Sequence, residues 1–285
     1  MHCRLCSKAL SVPSRATGRL SPEDVRITRK SPKKASLTTC GACGLVQADG
    51  IIPSESLYEA YMELEDPGVD EESAGRKLSF RRDILKCASL APLERSEILE
   101  AGAFTGIAAD AFKEVLPGAV YTGIEPSRWA CAVARKRGHN VIQGKVGDRL
   151  GRRFDIVFSW DVIEHLEHPR EFFEWCDGLT GPGAHLFIST PNWDSPWRKA
   201  FGRRWWFIEP MHRTFFSPGT MSGLAGRHGW RVIRVWPHTK VLSLNYLAGR
   251  AAGELGLDLK KTARLLPGLN IPLRLGQMSV LLKRP

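Results

Sequence analysis

The sequence predicts an α/β protein: a seven-stranded, mostly parallel sheet preceded by a small cysteine-bearing unit. Three observations predict it. From Ser96 onward, short apolar runs alternate with longer helical patterns, as in strands joined by crossover helices. A glycine-bearing turn follows the first of those runs directly. Ahead of the sheet, Cys3-x-x-Cys6 and Cys40-x-x-Cys43 form two closely spaced thiol pairs.

The strands can be justified in order. Glu97–Ala101 is the first and runs into Gly102-Ala103-Phe104-Thr105-Gly106. A helix through Ala108, Ala109, Phe112 and Val115 follows and stops at Leu116-Pro117-Gly118. Val120–Ile124 is the second strand and ends at Glu125; Pro126 and Ser127 open the next helix. Asn140–Ile142 is a short third. Phe154–Trp160 is the fourth, too apolar to have a face in water. His185–Thr190, Trp230–Val235 and Met278–Leu282 supply the fifth, sixth and seventh. Upstream, residues 51–95 read as a mostly helical connector with breaks at Pro53, Pro67 and Pro92. The expected organisation is therefore a unit at 1–50, a connector at 51–95 and the sheet domain at 96–285. A lid insertion is expected at about 192–220.

Composition sets the bounds. The chain has 285 residues, 43% hydrophobic and 25% charged, ordinary for a globular protein. No run approaches the roughly 18 apolar residues of a membrane span, and Met1–Cys6 has no signal-like apolar core. A cytoplasmic protein is the expectation. There the odd count of seven cysteines points to metal before disulfides. The net charge of +11 is uneven. Before Cys40, Arg4, Lys8, Arg15, Arg19, Arg26, Arg29, Lys30, Lys33 and Lys34 face only Glu23 and Asp24. Such an excess either steers the chain towards anions or is a solvated surface. Few aromatics are interleaved with it, which argues against base stacking.

Ligands of open α/β sheets bind beyond the carboxyl ends of the strands. Gly102 and Gly106 permit close backbone approach there. Their G-x-x-x-G spacing is not the nicotinamide fingerprint, and alone it fits a purely structural turn equally well. Glu125 adds to it. A carboxylate ending the second strand can accept hydrogen bonds from both hydroxyls of a ribose.

These segments together resemble the class I S-adenosylmethionine-dependent methyltransferases, which have a Rossmann-like fold. The resemblance rests on Ile98–Gly106, Gly123–Ser127, Phe154–Leu166, the Gly178–Gly183 turn and Ser189-Thr190-Pro191-Asn192, in that order along the chain. It implies S-adenosylmethionine as cofactor. It places Glu100, Gly102, Ala103, Phe104 and Gly106 around the methionine part, Glu125 and Pro126 at the ribose, and Trp160, Asp161 and Val162 near the sulfonium. The adenine side falls within Gln143–Asp148, with Val146 and Asp148 the candidates. One departure stands out. Phe104 occupies the position of the family's middle glycine, so the loop must run at negative φ there or carry strain.

The thiols Cys3, Cys6, Cys40 and Cys43 have the spacing of two zinc knuckles that complete one tetrahedron; free reduced thiols are the alternative. A closed four-thiolate site is structural, not catalytic. The unit and the phrase Cys40-Gly41-Ala42-Cys43-Gly44-Leu45-Val46 resemble a methyltransferase subset with an N-terminal zinc ribbon. Members of that subset often act on sugars, glycans or natural products. Cys87, Cys131 and Cys176 lie in helical patterns and read as small core residues.

Methyl transfer to a hydroxyl needs orientation and usually a base. His165 follows strand four, and His212 lies in the lid segment, whose Trp205–Ser217 stretch is similar to that of small-molecule members. Either could be the base, with a rate that rises through a group titrating near neutrality; either could equally brace a loop. Trp193, Trp197, Trp205 and Trp206 would wall the acceptor or pack the lid. Three functions compete. They are a small-molecule or glycan O-methyltransferase, an RNA methyltransferase using the basic N-terminal part, and a non-catalytic module whose cofactor loop Phe104 has spoiled.

Overall fold

A computed structural model describes residues 2–10, 15–16, 36–48, 50–51, 54–67, 72–209, 211–248 and 269–285. Arg19, Glu23, Asp24, Arg26, Arg29, Lys30, Lys33, Lys34 and Pro53, singled out above, lie outside the described residues.

Two-residue strands β1 (Arg15–Ala16) and β4 (Gly50–Ile51) pair in parallel, and β2 (Leu37–Thr39) and β3 (Val46–Ala48) form an antiparallel hairpin between them. Helices α1 (Ser54–Met62) and α2 (Ser73–Ala88) precede the main sheet. Then follow β5 (Glu97–Ala101), α3 (Ile107–Val115), β6 (Val120–Glu125), α4 (Arg128–Lys136), β7 (Val141–Gln143) and β8 (Phe154–Trp160). After α5 (Pro169–Leu179) come β9 (Thr180–Pro191), the short α6 (Pro196–Phe201), β10 (Thr214–Phe215) and α7 (Pro218–Arg227). The chain continues through β11 (Arg231–Pro237), β12 (Lys240–Ser243), β13 (Asn270–Leu273) and β14 (Gln277–Lys283).

The seven-stranded sheet has the order β11-β14-β9-β8-β5-β6-β7, and only β14 runs antiparallel to its neighbours. Chain order reverses between β5 and β8, so the crevice that binds ligands in such sheets opens beyond their carboxyl ends. Both faces are covered, which is why β8 reads as an unbroken apolar run. On one face Ile84, Phe112, Ile156, Phe158 and Leu281 join α2 and α3 to the sheet. On the other Val157, Phe172, Ile188, Leu224 and Val280 join α5 and α7 to it. Local capping fixes the helix starts. Ser127 caps α4 and accepts from Ala130 N; Ser217 and Thr220 close a capping box on α7.

The fifth strand begins five residues earlier than the sequence suggests. Phe154 pairs with Thr180 and Ile156 with His185, so Gly181–Ala184 forms a bulge within β9. The expected glycine turn is therefore an irregularity inside a strand, with Gly183 at φ +81°. Two further pieces of sheet had no clear signal. β12 and β13 form a hairpin against α2, and β10 pairs with β3.

Candidate active site

The 102–106 loop is built around Glu125. Its carboxylate is buried at the end of β6 and accepts from Phe104 N at 2.9 Å and from Ser127 N at 2.8 Å. Burial pushes the Glu125 carboxyl up to about 7, against those two backbone donors. Each carboxylate oxygen keeps a second lone-pair position, so the two hydroxyls of a ribose still have acceptors. Gly102 N and Ala103 N both donate to Ile124 O, locking the loop to β6. A side chain at Gly102 would meet Val162 Cγ2 at 2.8 Å, and one at Gly106 would meet the His139 ring at 2.6 Å. Pro126 separates Glu125 from the Ser127 cap.

Phe104 takes the strained alternative. Its φ is +44°. Its side chain is buried against Leu57, Ala60, Leu64, Ile107 and Ala130, with Trp129 at 5.8 Å. Helix α1 and the turn after it thus sit on the 102–106 loop, and Ser127 Oγ donates to Leu64 O. The segment expected to be a connector supplies a wall of the site.

Glu100 is buried at the end of β5 and accepts from Tyr121 Oη; burial pushes its carboxyl up to about 8. Val146 is half-buried against the α5 face, and Asp148 accepts from Lys145 N in the loop after β7. Trp160 is placed differently from the other candidates around it. Its ring stacks in the α2-side core on Phe158, and its Nε1 donates to Asp83 Oδ2 at 3.0 Å. Asp161, at φ +55°, turns into the crevice. It accepts from Ser189 Oγ, Gln277 Nε2 and Lys240 Nζ, the last at 3.0 Å. Burial opposes its charge, but Lys240 and then His238 hold its carboxyl down to about 2.

His165 and His212 come together, with ring centroids 4.7 Å apart. His165 Nδ1 donates to Met211 O at 3.1 Å and lies 3.3 Å from Tyr61 Oη. His212 Nδ1 donates to Phe207 O at 2.6 Å. A carbonyl only accepts, so both rings carry the proton on Nδ1 and present Nε2 as the basic nitrogen. Burial, and then His212, push His165 down to about 3; burial pushes His212 down as well. Glu164 stands beside them and accepts from Thr190 Oγ1.

Buried side-chain atoms without partners collect at this end of the sheet. They include Thr105 Oγ1, Ser159 Oγ, Glu164 Oε1, Gln277 Oε1 and Arg76 Nε. Native proteins leave few such atoms among their buried groups. Sequence reasoning missed Arg76, Lys240 and Gln277. Lys240 and Gln277 arrive on β12 and β14, far along the chain from Asp161, and only the pairing of β14 with β9 brings Gln277 there. Arg76 lies in a helix whose facing no motif reveals.

The four cysteines also converge. Cys3 Sγ is 3.5 Å from Cys43 Sγ, Cys6 Sγ is 3.6 Å from Cys40 Sγ, and all four lie within 4.8 Å of one another. Thiolates on a tetrahedral zinc stand about 3.8 Å apart, from bonds of about 2.3 Å. Ser7 N donates to Cys3 O and Gly44 N to Cys40 O, and both Ser7 and Gly44 have positive φ, so the two turns repeat one geometry. Cys87, Cys131 and Cys176 are buried in the core.

Comparison with known proteins bears on the family and the fold. A family model described as "Methyltransferase domain" matches residues 73–235. The chain belongs to that family. It is 29% identical over 105 residues to a "Ubiquinone biosynthesis O-methyltransferase" of Vibrio atlanticus, covering 34% of this chain and 44% of that protein. It is 30% identical over 136 residues to the Rhodopseudomonas palustris protein of the same name, covering 42% and 52%. The chain thus spans about half the length of these curated relatives. Among solved structures it is similar to a possible histamine N-methyltransferase of Thermotoga maritima, with TM-score 0.51 and 17% identity over 75% of this chain and 91% of that one. It also resembles a putative methyltransferase of Bacillus halodurans, with TM-score 0.52 and 17% identity over 72% and 99%. At these identities the structures share the fold. No helix among the described residues is long and apolar enough to cross a membrane.

Proposed function

We propose that the chain transfers a methyl group to a hydroxyl of a small organic acceptor, with His165 and His212 serving the proton. The observation that carries this reading is the pair of imidazoles with both Nδ1 atoms pinned to carbonyls. Tyr61, Met211 and Phe207 surround them, and Asp161 acts on both electrostatically. The name shared by the curated relatives supports oxygen as the acceptor atom. The aromatic and thioether wall suits a planar or apolar acceptor better than a highly charged one. S-adenosylmethionine, when bound, supplies an electrophilic methyl on a sulfonium. Glu125 would hold its ribose, the 102–106 loop its methionine part, and Asp161 would favour its positive charge.

Burial has kept both imidazoles neutral, so no proton has to leave them before reaction. A hydroxyl oxygen that has begun to bond carbon is far more acidic than the free hydroxyl. An imidazole of low basicity therefore suffices to take its proton through Nε2. Lys240 and Gln277 fix Asp161, and Glu164 ties its loop to Thr190. We read the four thiolates as one structural zinc site, because their spacing leaves no open coordination position.

The test is steady-state kinetics with S-adenosylmethionine and a panel of phenolic and sugar hydroxyl acceptors. His165→Ala or His212→Ala should lower turnover about 10²–10⁴-fold with cofactor affinity nearly unchanged. If both variants turn over normally, orientation alone carries the reaction and the histidines are braces.

A further inference from the structure

The segment 195–208 exposes a group of side chains that the proposed methyl transfer does not use. Trp197 and Phe201 on α6 are 42% and 46% exposed, among the few large apolar side chains on the surface. Their rings lie 6.0 Å apart at 23°, and Trp206 packs on both at 5.7 and 5.4 Å. Lys199, Arg203 and Arg204 are exposed around them, and no Asp or Glu lies between Ser195 and Ile208. Arg274 adds a fourth exposed cation from the neighbouring loop, where its carbonyl accepts from Trp197 Nε1 at 2.6 Å. Trp197 also lines a cleft of about 290 Å³ of mixed character, with Pro196, Trp236 and Met278 beside Asn192, Ser195 and Gln277.

We infer that this patch docks the protein on an anionic lipid bilayer. Protruding aromatic bulk ringed by cations is the chemistry of the membrane interface. The rings enter the headgroup boundary while Lys and Arg meet acidic headgroups. Nucleic acid fits less well. The exposed rings already stack on each other, which occupies faces that bases would need. Trp206 leads on to Phe207, 6.2 Å away, which packs on His212.

The experiment is co-sedimentation of the full chain, without acceptor or cofactor, with vesicles of phosphatidylcholine alone or with one third phosphatidylglycerol. Partition into the anionic vesicles at low salt, weakened at high salt, is the expected result. Lys199→Glu/Arg203→Glu/Arg204→Glu should weaken partition about 100-fold or more, at about fivefold per charge removed. Trp197→Ala/Phe201→Ala should weaken it at least about tenfold. The three cations are exposed, so melting curves of the charge variant should match the parent; the aromatic variant also loses the Trp197–Arg274 bond and the contacts to Trp206, so it is compared below its own melting temperature. Cofactor titrations of both variants should match the parent, which keeps this test separate from the methyl-transfer reading. The inference is overturned if the parent ignores anionic vesicles at low salt. It is overturned equally if the aromatic variant partitions as well as the parent, since charge alone would then account for binding. Tighter binding of single-stranded RNA than of vesicles, lost in the same variants, would assign the patch to nucleic acid instead.

Discussion

Phe104 shows how one residue reconciles two demands. Its positive φ costs about 1–2 kcal/mol, while burying an aromatic side chain returns about 1.5–3 kcal/mol. Packing therefore outweighs strain, and the residue pins α1 to the cofactor loop. Phe104→Gly removes both terms, whereas Phe104→Ala removes only the packing. The order of stability in denaturant melts should be Phe, then Gly, then Ala, with Ala about 1 kcal/mol below Gly. Glu125 yields a second prediction. Glu125→Ala should weaken S-adenosylmethionine binding roughly ten- to a hundredfold by calorimetry. Its carboxyl is raised in the fold from an ordinary 4.5 to about 7. The stability it contributes is fully present below about 4.5 and is lost as pH rises through about 7. Ribose hydroxyls donate to the ionised form, so cofactor affinity should rise over the same interval. The histidines alter the pH profile expected from sequence. Burial and then His212 hold His165 near 3, and burial lowers His212 from the ordinary imidazole value as well. Turnover at saturating cofactor should be flat near neutrality, while kcat/KM for the cofactor rises through about 7. Glu125 was legible because it ends a strand that sequence locates. The tautomers and low basicity of the histidines were not, because both come from carbonyls and burial supplied by other segments.

At the scale of elements, the notable join is between the cysteine unit and the lid. β10 pairs with β3, Thr214 opposite Gln47 and Phe215 opposite Val46. Arg4 Nη1 donates to Ala48 O and Arg213 O, and Arg213 N donates to Glu164 O. The thiol site is thereby tied, through one strand, to the residues flanking His212. Elemental analysis should find about one zinc per chain in protein purified without added metal. Chelation should raise hydrogen exchange in residues 36–48 and also in 211–216, leaving β5–β9 protected. Protection of 211–216 that chelation does not change would mean that the lid stands without the metal unit. The paired cysteines and central strands could be read from spacing and apolar runs. The β3–β10 join could not, because strands of two or three residues carry no periodicity. The β12–β13 hairpin was missed for a related reason, since its partners are separated by a long intervening segment.

For the whole molecule, the topology could be read because each crossover helix announces the strand before and after it, and the family motifs fall at successive strand ends. What stayed hidden was how the additions to the sheet close over one end of it. α1, the segment around His212 and β12 all send side chains to the carboxyl ends of the strands. A ligand bound among them should stabilise the fold as a unit. At a hundredfold excess over Kd the gain is about 2.7 kcal/mol. For a chain of this size that is a rise in Tm of roughly 4–5 °C. S-adenosylmethionine should give that shift in differential scanning fluorimetry, and a nicotinamide dinucleotide should give none. The pairing of β3 with β10 also orders events during synthesis. Val46 emerges from the ribosome more than 160 residues before Phe215, its partner. At about 5–20 residues per second, one edge of the cysteine hairpin waits unpaired for roughly ten to thirty seconds. A metal taken up early by the first two thiol pairs would hold that hairpin closed while the rest of the chain is made. The last step of assembly would then be the lid strand adding to an edge already in place.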